Sequence, residues 1–175
     1  MKLKISQGLQ NYAQSLITMH ELIQNQQPTC WFIEYTSVTT DKCVGRGGGP
    51  IYHGPGQRVV YFITPLFALA SDLPTFISKL EQLVVDCCSM FDVRAYANID
   101  GPGVWIDHGK VAFIGLRLNK DKWLSHGIAI NCMVDLTKFE GLDVCNKGAK
   151  VANIGVNVTD FDQELIIQLR RSGWL

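Results

Sequence analysis

The sequence predicts an α/β (α+β) fold in which helices pack on a mixed, largely antiparallel sheet. Three patterns support this prediction. Apolar residues recur at helical spacing in three segments, β-branched and aromatic residues form short runs between them, and the turn Asp107–Gly109 joins two of these runs. Strands joined by such a hairpin are antiparallel. At 175 residues the chain is long enough for one core, and we expect a single domain over residues 1–175.

The first half of the chain is predicted to contain one helix, two strands and a loop. Apolar residues at helical spacing predict an amphipathic helix over residues 6–25. Runs of β-branched and aromatic residues predict strands at Thr29–Tyr35 and Arg58–Ile63. Between the strands, Cys43–Gln57 is rich in glycine and is predicted to be a loop.

The second half is predicted to begin and end with a helix. Asp72 is a favourable N-cap, and the apolar face that follows it extends to Phe91. Three short strands come next: Gly103–Asp107, Lys110–Arg117 and His126–Cys132. Residues 136–150 are irregular and polar, and the last helix is predicted to begin at Thr159 or Asp160.

Charge and hydropathy argue against several classes of function. Sixteen basic residues balance sixteen acidic ones without a basic run, so we expect no nucleic-acid partner. The longest apolar run, Val59–Ala70, is interrupted by a Thr-Pro step, and the first residues lack the apolar stretch of a secretory signal. We therefore expect a cytoplasmic protein with no membrane partner.

The six cysteines lack the spacing of a zinc site and are expected to be reduced. Cys87, Cys88 and Cys132 fall in apolar segments and are predicted to be core residues, which is the usual role of a free cysteine. Cys145 lies instead in a polar loop near lysines. This setting favours Cys145 as the candidate nucleophile.

The segment Gly45–Gly56 contains six glycines in twelve residues and is the first candidate binding site. Glycine loses the most backbone freedom on folding, so such a run suits the close approach of a ligand or of another backbone. A phosphate-binding loop is disfavoured, because Pro50 interrupts a Gly-x-Gly-x-x-Gly pattern and no Gly-Lys-Ser/Thr follows. A plain surface loop is the alternative, but the interleaved Arg46, Tyr52 and His53 favour a loop that holds a ligand.

Lys110 and His126 are further candidates. Strand alternation would place Lys110 on the same face as Ala112, which fits either a lysine reaching water or a desolvated functional one. His126 leads into an apolar strand and fits a hydrogen-bonded residue at the core edge as well as a catalytic one. From the residues alone, the mechanistic hypothesis is a pair of Cys145 with His126 or His53.

Residues 46–57 resemble the Arg-Gly-Gly-x-x-x-Tyr-His-Gly-Pro-Gly-Gln signature of the octanoyl (lipoyl) transferases. Further segments resemble the same family in order and spacing: Gly103–Asp107, Lys110–Arg117, His126–Asn131, Asp135–Leu136 and Cys145. The resemblance implies the α/β catalytic domain that this family shares with lipoate and biotin protein ligases.

The resemblance also implies an acyltransferase of lipoate biosynthesis. Its donor would be octanoyl-acyl-carrier protein, and its acceptors would be lysines on the lipoyl domains of 2-oxoacid dehydrogenases and on the glycine cleavage H protein. The family places its nucleophilic cysteine and catalytic lysine at Cys145 and Lys110. Cationic Lys110 would stabilise the Cys145 thiolate, and the neutral amine would deprotonate the incoming lysine. No cofactor and no metal are implied.

The substrate-binding site implied by the resemblance combines the glycine loop with two strand segments, whose glycines leave room for an alkyl chain. Its residues are Arg46, Gly47, Gly48, Gly49, Pro50, Ile51, Tyr52, His53, Phe113, Ile114, Gly115, His126, Gly127, Ile128 and Ala129. The chain departs from the family in two places. Residues 33–40 lead almost directly into the glycine loop without the family's Glu-His-Pro-Pro motif, and Asp-Val-Cys-Asn replaces Asn-Pro-Cys-Gly around Cys145.

Two alternatives remain open at this point. The triple glycine at 47–49 and Lys110 also fit an ATP-dependent lipoate-protein ligase, which needs no nucleophilic cysteine. The shortened segment before the glycine loop fits a non-catalytic relative that only binds carrier domains. Cys145 in register and the sequence Gly54-Pro55-Gly56-Gln57 favour the transferase over the ligase. Retention of both Cys145 and Lys110 argues against the non-catalytic relative, because a protein that only binds carrier domains has no use for that pair.

Overall fold

A computed structural model of the protein describes residues 1–40, 50–98, 101–142 and 150–175. In chain order the elements are β1 (Lys2–Gln10), α1 (Tyr12–Gln24), β2 (Thr29–Tyr35), β3 (Val38–Thr40), β4 (Ile51–His53), β5 (Gln57–Pro65), α2 (Leu73–Ser89), β6 (Tyr96–Ala97), β7 (Gly103–Ile106), β8 (Gly109–Leu118), β9 (Trp123–Asn131) and α3 (Val158–Arg171). Short 3-10 helices lie at Leu66–Ala68 and Leu136–Phe139. In this part of the chain, no helix is both long and apolar enough to cross a membrane.

The larger sheet has the strand order β1-β2-β5-β9-β8-β7-β6. β1 and β2 run parallel, and each of the other neighbouring pairs is antiparallel. β3 and β4 form a separate antiparallel pair. The predicted mixed, largely antiparallel sheet is therefore confirmed.

Side chains alternate between the two faces of this sheet and build two cores. On one face, Phe32, Val60 and Phe62 pack with the apolar sides of α2 and α3. On the other face, Val59 and Tyr61 belong to a second cluster, to which α1 contributes buried side chains. The central strands are covered on both faces, and this explains why β2 and β5 are buried along almost their whole length.

The predicted helix over residues 6–25 is wrong at its start. The chain runs as β1 as far as Gln10, and Asn11 caps α1 by accepting a hydrogen bond from the backbone N–H of Gln14. β1 pairs in parallel with β2 at the edge of the sheet, a long-range contact that local spacing does not show. The N-cap Asp72 of α2 is confirmed, whereas α3 begins at Val158, slightly earlier than predicted.

The predicted glycine loop contains a strand, because β4 lies within Cys43–Gln57 and pairs with β3. Residues 41–49 of this segment lie outside the described residues. The hairpin at Asp107–Gly109 is confirmed by the antiparallel pairing of β7 with β8. The irregular segment 136–150 includes the second 3-10 helix, and its residues 143–149 also lie outside the described part.

Candidate active site

A cavity of about 100 Å³ opens on the α1 face of the sheet, over β5, β8 and β9. The described residues that line it come from α1, from β4 and the residue before it, from the three strands and from the second 3-10 helix. They are Tyr12, Pro50, Tyr52, His53, Gln57, Val59, Tyr61, Lys110, Phe113, Ile114, Gly115, His126, Gly127, Ile128, Ala129 and Phe139. The lining is mostly apolar and aromatic, with a few polar groups, as is common in sites that bind small molecules.

Among the described residues of the cavity wall, Lys110 is the buried cation, with only 8% of its surface exposed. Its Nζ donates a hydrogen bond of 2.8 Å to the carbonyl oxygen of Pro102. The same atom lies 4.4 Å from the ring centroid of Trp105 and 5.2 Å from that of Phe113. A carbonyl and two aromatic rings thus hold the ammonium group in place, since both kinds of partner attract a cation.

A bulge determines the face on which Lys110 lies. In the β7–β8 pair, Val104 is opposite Ala112, but the next residue, Trp105, is opposite Lys110. β8 therefore contains one extra residue, and the alternation of faces is interrupted between Lys110 and Ala112. Ala112 packs in the core with α2 and α3, while Lys110 lines the cavity. The expectation that the two side chains share a face is wrong for this reason.

A buried chain of hydrogen bonds runs from the backbone at Ala152 to His53. The Ala152 carbonyl can only accept, so Asn131 presents Nδ2 to it at 3.1 Å. Oδ1 of Asn131 then accepts from Nε2 of Gln57 at 2.9 Å, which leaves Oε1 of Gln57 as the partner of Nδ1 of His53 at 2.6 Å. Because an amide oxygen only accepts, Nδ1 of His53 carries a proton. In the neutral ring, Nε2 is then the nitrogen that can accept a hydrogen bond or a proton.

The family model of the lipoyl protein ligase A/B catalytic domain matches residues 43–168. Octanoyltransferase from Shewanella piezotolerans is 33% identical over 139 residues, which cover 70% of this chain and 63% of that protein. Octanoyltransferase from Pseudomonas putida is 31% identical over 159 residues, which cover 79% of this chain and 74% of that protein. This chain belongs to the octanoyltransferase family. It spans slightly less than two thirds of the first relative and about three quarters of the second.

Solved structures show how widely the fold is shared. Lipoate-protein ligase A bound with ATP superimposes with a TM-score of 0.78 at 15% identity, covering 99% of this chain and 85% of that one. Biotin protein ligase from Aquifex aeolicus superimposes with a TM-score of 0.59 at 13% identity, covering 99% of this chain and 68% of that one. The expected relation to the folds of lipoate and biotin ligases is confirmed.

Most described residues of the site expected for an octanoyltransferase meet in the cavity. Pro50, Tyr52, His53, Lys110, Phe113, Ile114, Gly115, His126, Gly127, Ile128 and Ala129 all line it. Ile51 lies in β4 between two lining residues. The remaining predicted residues, Arg46, Gly47, Gly48, Gly49 and the candidate nucleophile Cys145, lie outside the described residues. Their roles stay predictions.

Gly127 has a reason to be glycine other than the expected one. The sequence suggests that its missing side chain leaves room for an alkyl chain. In the structure, a Cβ at Gly127 would collide with the backbone carbonyl oxygen of Val60 on the neighbouring strand. The close approach of β5 and β9 therefore already requires glycine at this position.

His126 reaches the cavity through an unusual backbone angle. Its neighbours Leu124 and Ile130, an even number of residues away on β9, pack in the core with α2 and α3. Simple alternation would send His126 to that core as well. Instead its φ is +64°, and its buried ring meets the ring of Tyr61 at 5.8 Å beside the cavity. Residues other than glycine rarely adopt this angle, and those that do are enriched at functional sites.

Five lining residues are absent from the predicted site: Tyr12, Gln57, Val59, Tyr61 and Phe139. Gln57 is the last residue of the signature at 46–57, so the sequence could have predicted that it belongs to the site. Tyr61 lies on the cavity face of β5, and its hydroxyl accepts a hydrogen bond of 3.0 Å from Tyr35. Burial raises the pKa of Tyr35 to about 12, which keeps that hydroxyl protonated.

The four described cysteines are unsuited to nucleophilic attack. Cys30, Cys87, Cys88 and Cys132 are fully buried, and none is among the described residues that line the cavity. Burial raises the pKa of Cys30, Cys88 and Cys132 to about 12 and raises that of Cys87 as well. The thiolate is the reactive form, so these four thiols are inert in the folded chain. The predicted core role of Cys87, Cys88 and Cys132 is confirmed.

Proposed function

We propose that this protein transfers an octanoyl group from octanoyl-acyl-carrier protein to a lysine of a lipoyl domain. Membership of the octanoyltransferase family supports the reaction. The observation that carries the proposal is the cavity, because described residues of the signature loop and of the strand segments line it together with the buried Lys110. The acceptors would be lipoyl domains of 2-oxoacid dehydrogenases and the glycine cleavage H protein, and the reaction would take place in the cytoplasm.

Cys145 is proposed as the nucleophile. Its thiolate would attack the thioester carbonyl, so that a C–S bond to Cys145 forms while the C–S bond to the carrier's pantetheine breaks. The departing pantetheine sulfur would take the proton of the Lys110 ammonium, which leaves Lys110 as a neutral amine. Exchange of one thioester for another costs little free energy. Four of the other five cysteines are buried with raised pKa values, and this supports Cys145 for the role.

Lys110 is proposed to act in both half-reactions. As a cation it would stabilise the Cys145 thiolate, and as a neutral amine it would take a proton from the incoming lysine. That lysine then attacks the acyl carbonyl, an amide C–N bond forms, and the C–S bond to Cys145 breaks. The hydrogen bond to Pro102 holds Nζ at the cavity wall during these steps.

The cavity wall is suited to an octanoyl chain. Tyr52, Tyr61, Phe113 and Phe139 supply aromatic surface, and Ala129 adds a small apolar residue on the same face of the sheet. Each methylene group that leaves water contributes about 0.8 kcal/mol to binding. Acyl groups shorter by two carbons should therefore bind more weakly by a factor of roughly ten or more.

The deciding test is intact-protein mass spectrometry after mixing the purified protein with octanoyl-acyl-carrier protein in the absence of ATP. We expect one added octanoyl group that hydroxylamine removes, with the thioester mapped to Cys145. Cys145→Ala should form no adduct, while the control Cys87→Ala, at a cysteine of the core that does not line the cavity, should still form it in its folded fraction.

Two results would contradict the proposal. Full acyl-enzyme formation by Cys145→Ala would remove Cys145 from the mechanism. A folded wild-type protein that forms no adduct with intact donor would instead favour an ATP-dependent ligase or a protein that only binds carrier domains.

A further inference from the structure

One peptide group connects Lys110 to an acidic side chain on α2. The carbonyl oxygen of Pro102 accepts the hydrogen bond from Nζ of Lys110 at 2.8 Å. The N–H of Gly103, which belongs to the same peptide group, donates to Oε1 of Glu81 at 2.7 Å. Glu81 is half-buried and does not line the cavity described above. Carboxylate, peptide and ammonium thus form one continuous chain.

These linked hydrogen bonds have a direct electrostatic effect on Lys110. A peptide N–H that donates to a carboxylate shifts electron density towards its own carbonyl oxygen, because hydrogen bonds in series polarise one another. The Pro102 oxygen becomes a stronger acceptor for the Lys110 ammonium. The carboxylate also fixes the orientation of the peptide plane, and with it the direction from which Nζ is held.

Gly103 makes this arrangement possible. Its φ is +137°, and a Cβ there would lie 2.5 Å from Cε of Lys110 and would also collide with the backbone oxygen of Ala112. Only glycine allows the lysine side chain to pass so close to the peptide that holds it. Gly103 therefore both donates its N–H to Glu81 and leaves space for the Lys110 side chain.

We propose that Glu81 is a positioning residue that acts on Lys110 through the Pro102–Gly103 peptide. The proposal rests on the proposed function, in which Lys110 takes part in acyl transfer. Glu81 does not touch the reacting atoms in this account. Its removal should slow chemistry while leaving the binding of the donor unchanged.

The test compares Glu81→Ala, Glu81→Gln and the wild type in single-turnover acylation by octanoyl-acyl-carrier protein. The rate constant of a single turnover does not depend on the fraction of folded protein. We expect Glu81→Ala to lower this rate constant by about tenfold or more, because the hydrogen bond from Gly103 to a charged group is lost. The donor concentration that gives half of the maximal rate should stay within about twofold of the wild type. Glu81→Gln keeps an acceptor oxygen and should recover part of the rate.

Asp86→Asn is the matched control, because Asp86 is an exposed acid of the same helix whose carboxylate accepts from Gln82. The Asp86→Asn variant should be acylated at the wild-type rate. The role of Glu81 would be overturned by an unchanged rate constant in Glu81→Ala, or by a change in the half-saturating donor concentration alone. Either result would leave the proposed function intact. A wild-type protein that forms no acyl-enzyme would overturn both proposals.

Discussion

His126 has a backbone φ of +64° within β9, an angle that costs a residue with a Cβ roughly 1–2 kcal/mol. Adjacent strand residues keep ordinary angles, so the strain is confined to one position. The angle turns the imidazole from the core with α2 and α3 towards Tyr61 and the cavity. A single torsion therefore decides which face of the sheet receives this ring.

Substitutions at His126 should reveal this strain. Asn tolerates a left-handed backbone and Val does not, so we expect His126→Val to be less stable than His126→Asn by roughly 1–2 kcal/mol. Urea unfolding of the two variants measures the difference. The neighbouring Ser125 is equally buried and is the control, because there Val should match or exceed Asn. The same ranking at both positions would contradict the argument.

At the scale of elements, a buried ion pair joins β5 to α3. Nε of Arg58 donates a hydrogen bond to Oδ1 of Asp162, and Nη2 donates one to Oδ2, both at 2.7 Å. Burial raises the pKa of Asp162, and the guanidinium acts in the opposite direction. The pair is an ion pair with a separation of 2.7 Å between this strand and the helix that covers it.

Asp162→Asn should destabilise the fold strongly, because it leaves the Arg58 cation buried without its counter-charge. The expected loss is about 3–5 kcal/mol in the free energy of unfolding, measured with urea. The double variant Arg58→Met, Asp162→Leu removes both charges and should recover most of that loss. A double variant no more stable than Asp162→Asn would show that the pair contributes more than mutual neutralisation.

How well each element could be predicted depended on whether its determinants were local. β2 and α2 were predicted closely, because β-branched runs and the cap Asp72 are visible in short stretches of sequence. β1 was missed because its strand conformation depends on pairing with β2 across the intervening α1. The helical spacing around Leu9 was therefore misleading.

The candidate site shows the same division. The signature loop and its strand partners were predicted to meet, and their described members do line one cavity. The bulge that directs Lys110, the positive φ of His126 and the contact between Glu81 and Gly103 have no local sequence signal. Each depends on where a second strand or helix lies in space.

For the molecule as a whole, burial makes an inert class of the four cysteines that the structure describes. In the folded protein at pH 8, iodoacetamide should leave Cys30, Cys87, Cys88 and Cys132 unmodified, because their raised pKa values keep them as thiols. Peptide mass spectrometry after labelling should find all four modified only in urea. Prior incubation with octanoyl-acyl-carrier protein should protect Cys145, the proposed nucleophile, from labelling. Rapid native labelling of the four would contradict their assignment to the core.

The strand β1 has a further consequence for how separate copies of the protein behave. It lies at one end of the sheet, carries Lys2 and Lys4, and breaks its regular pairing between Ile5 and Leu9. Charges and irregularities of this kind discourage another strand from adding to a sheet. The next strand inward, β2, is apolar and buried along nearly its whole length. A chain trimmed of β1 would present that strand as a bare edge and should aggregate, so these first residues keep neighbouring molecules apart.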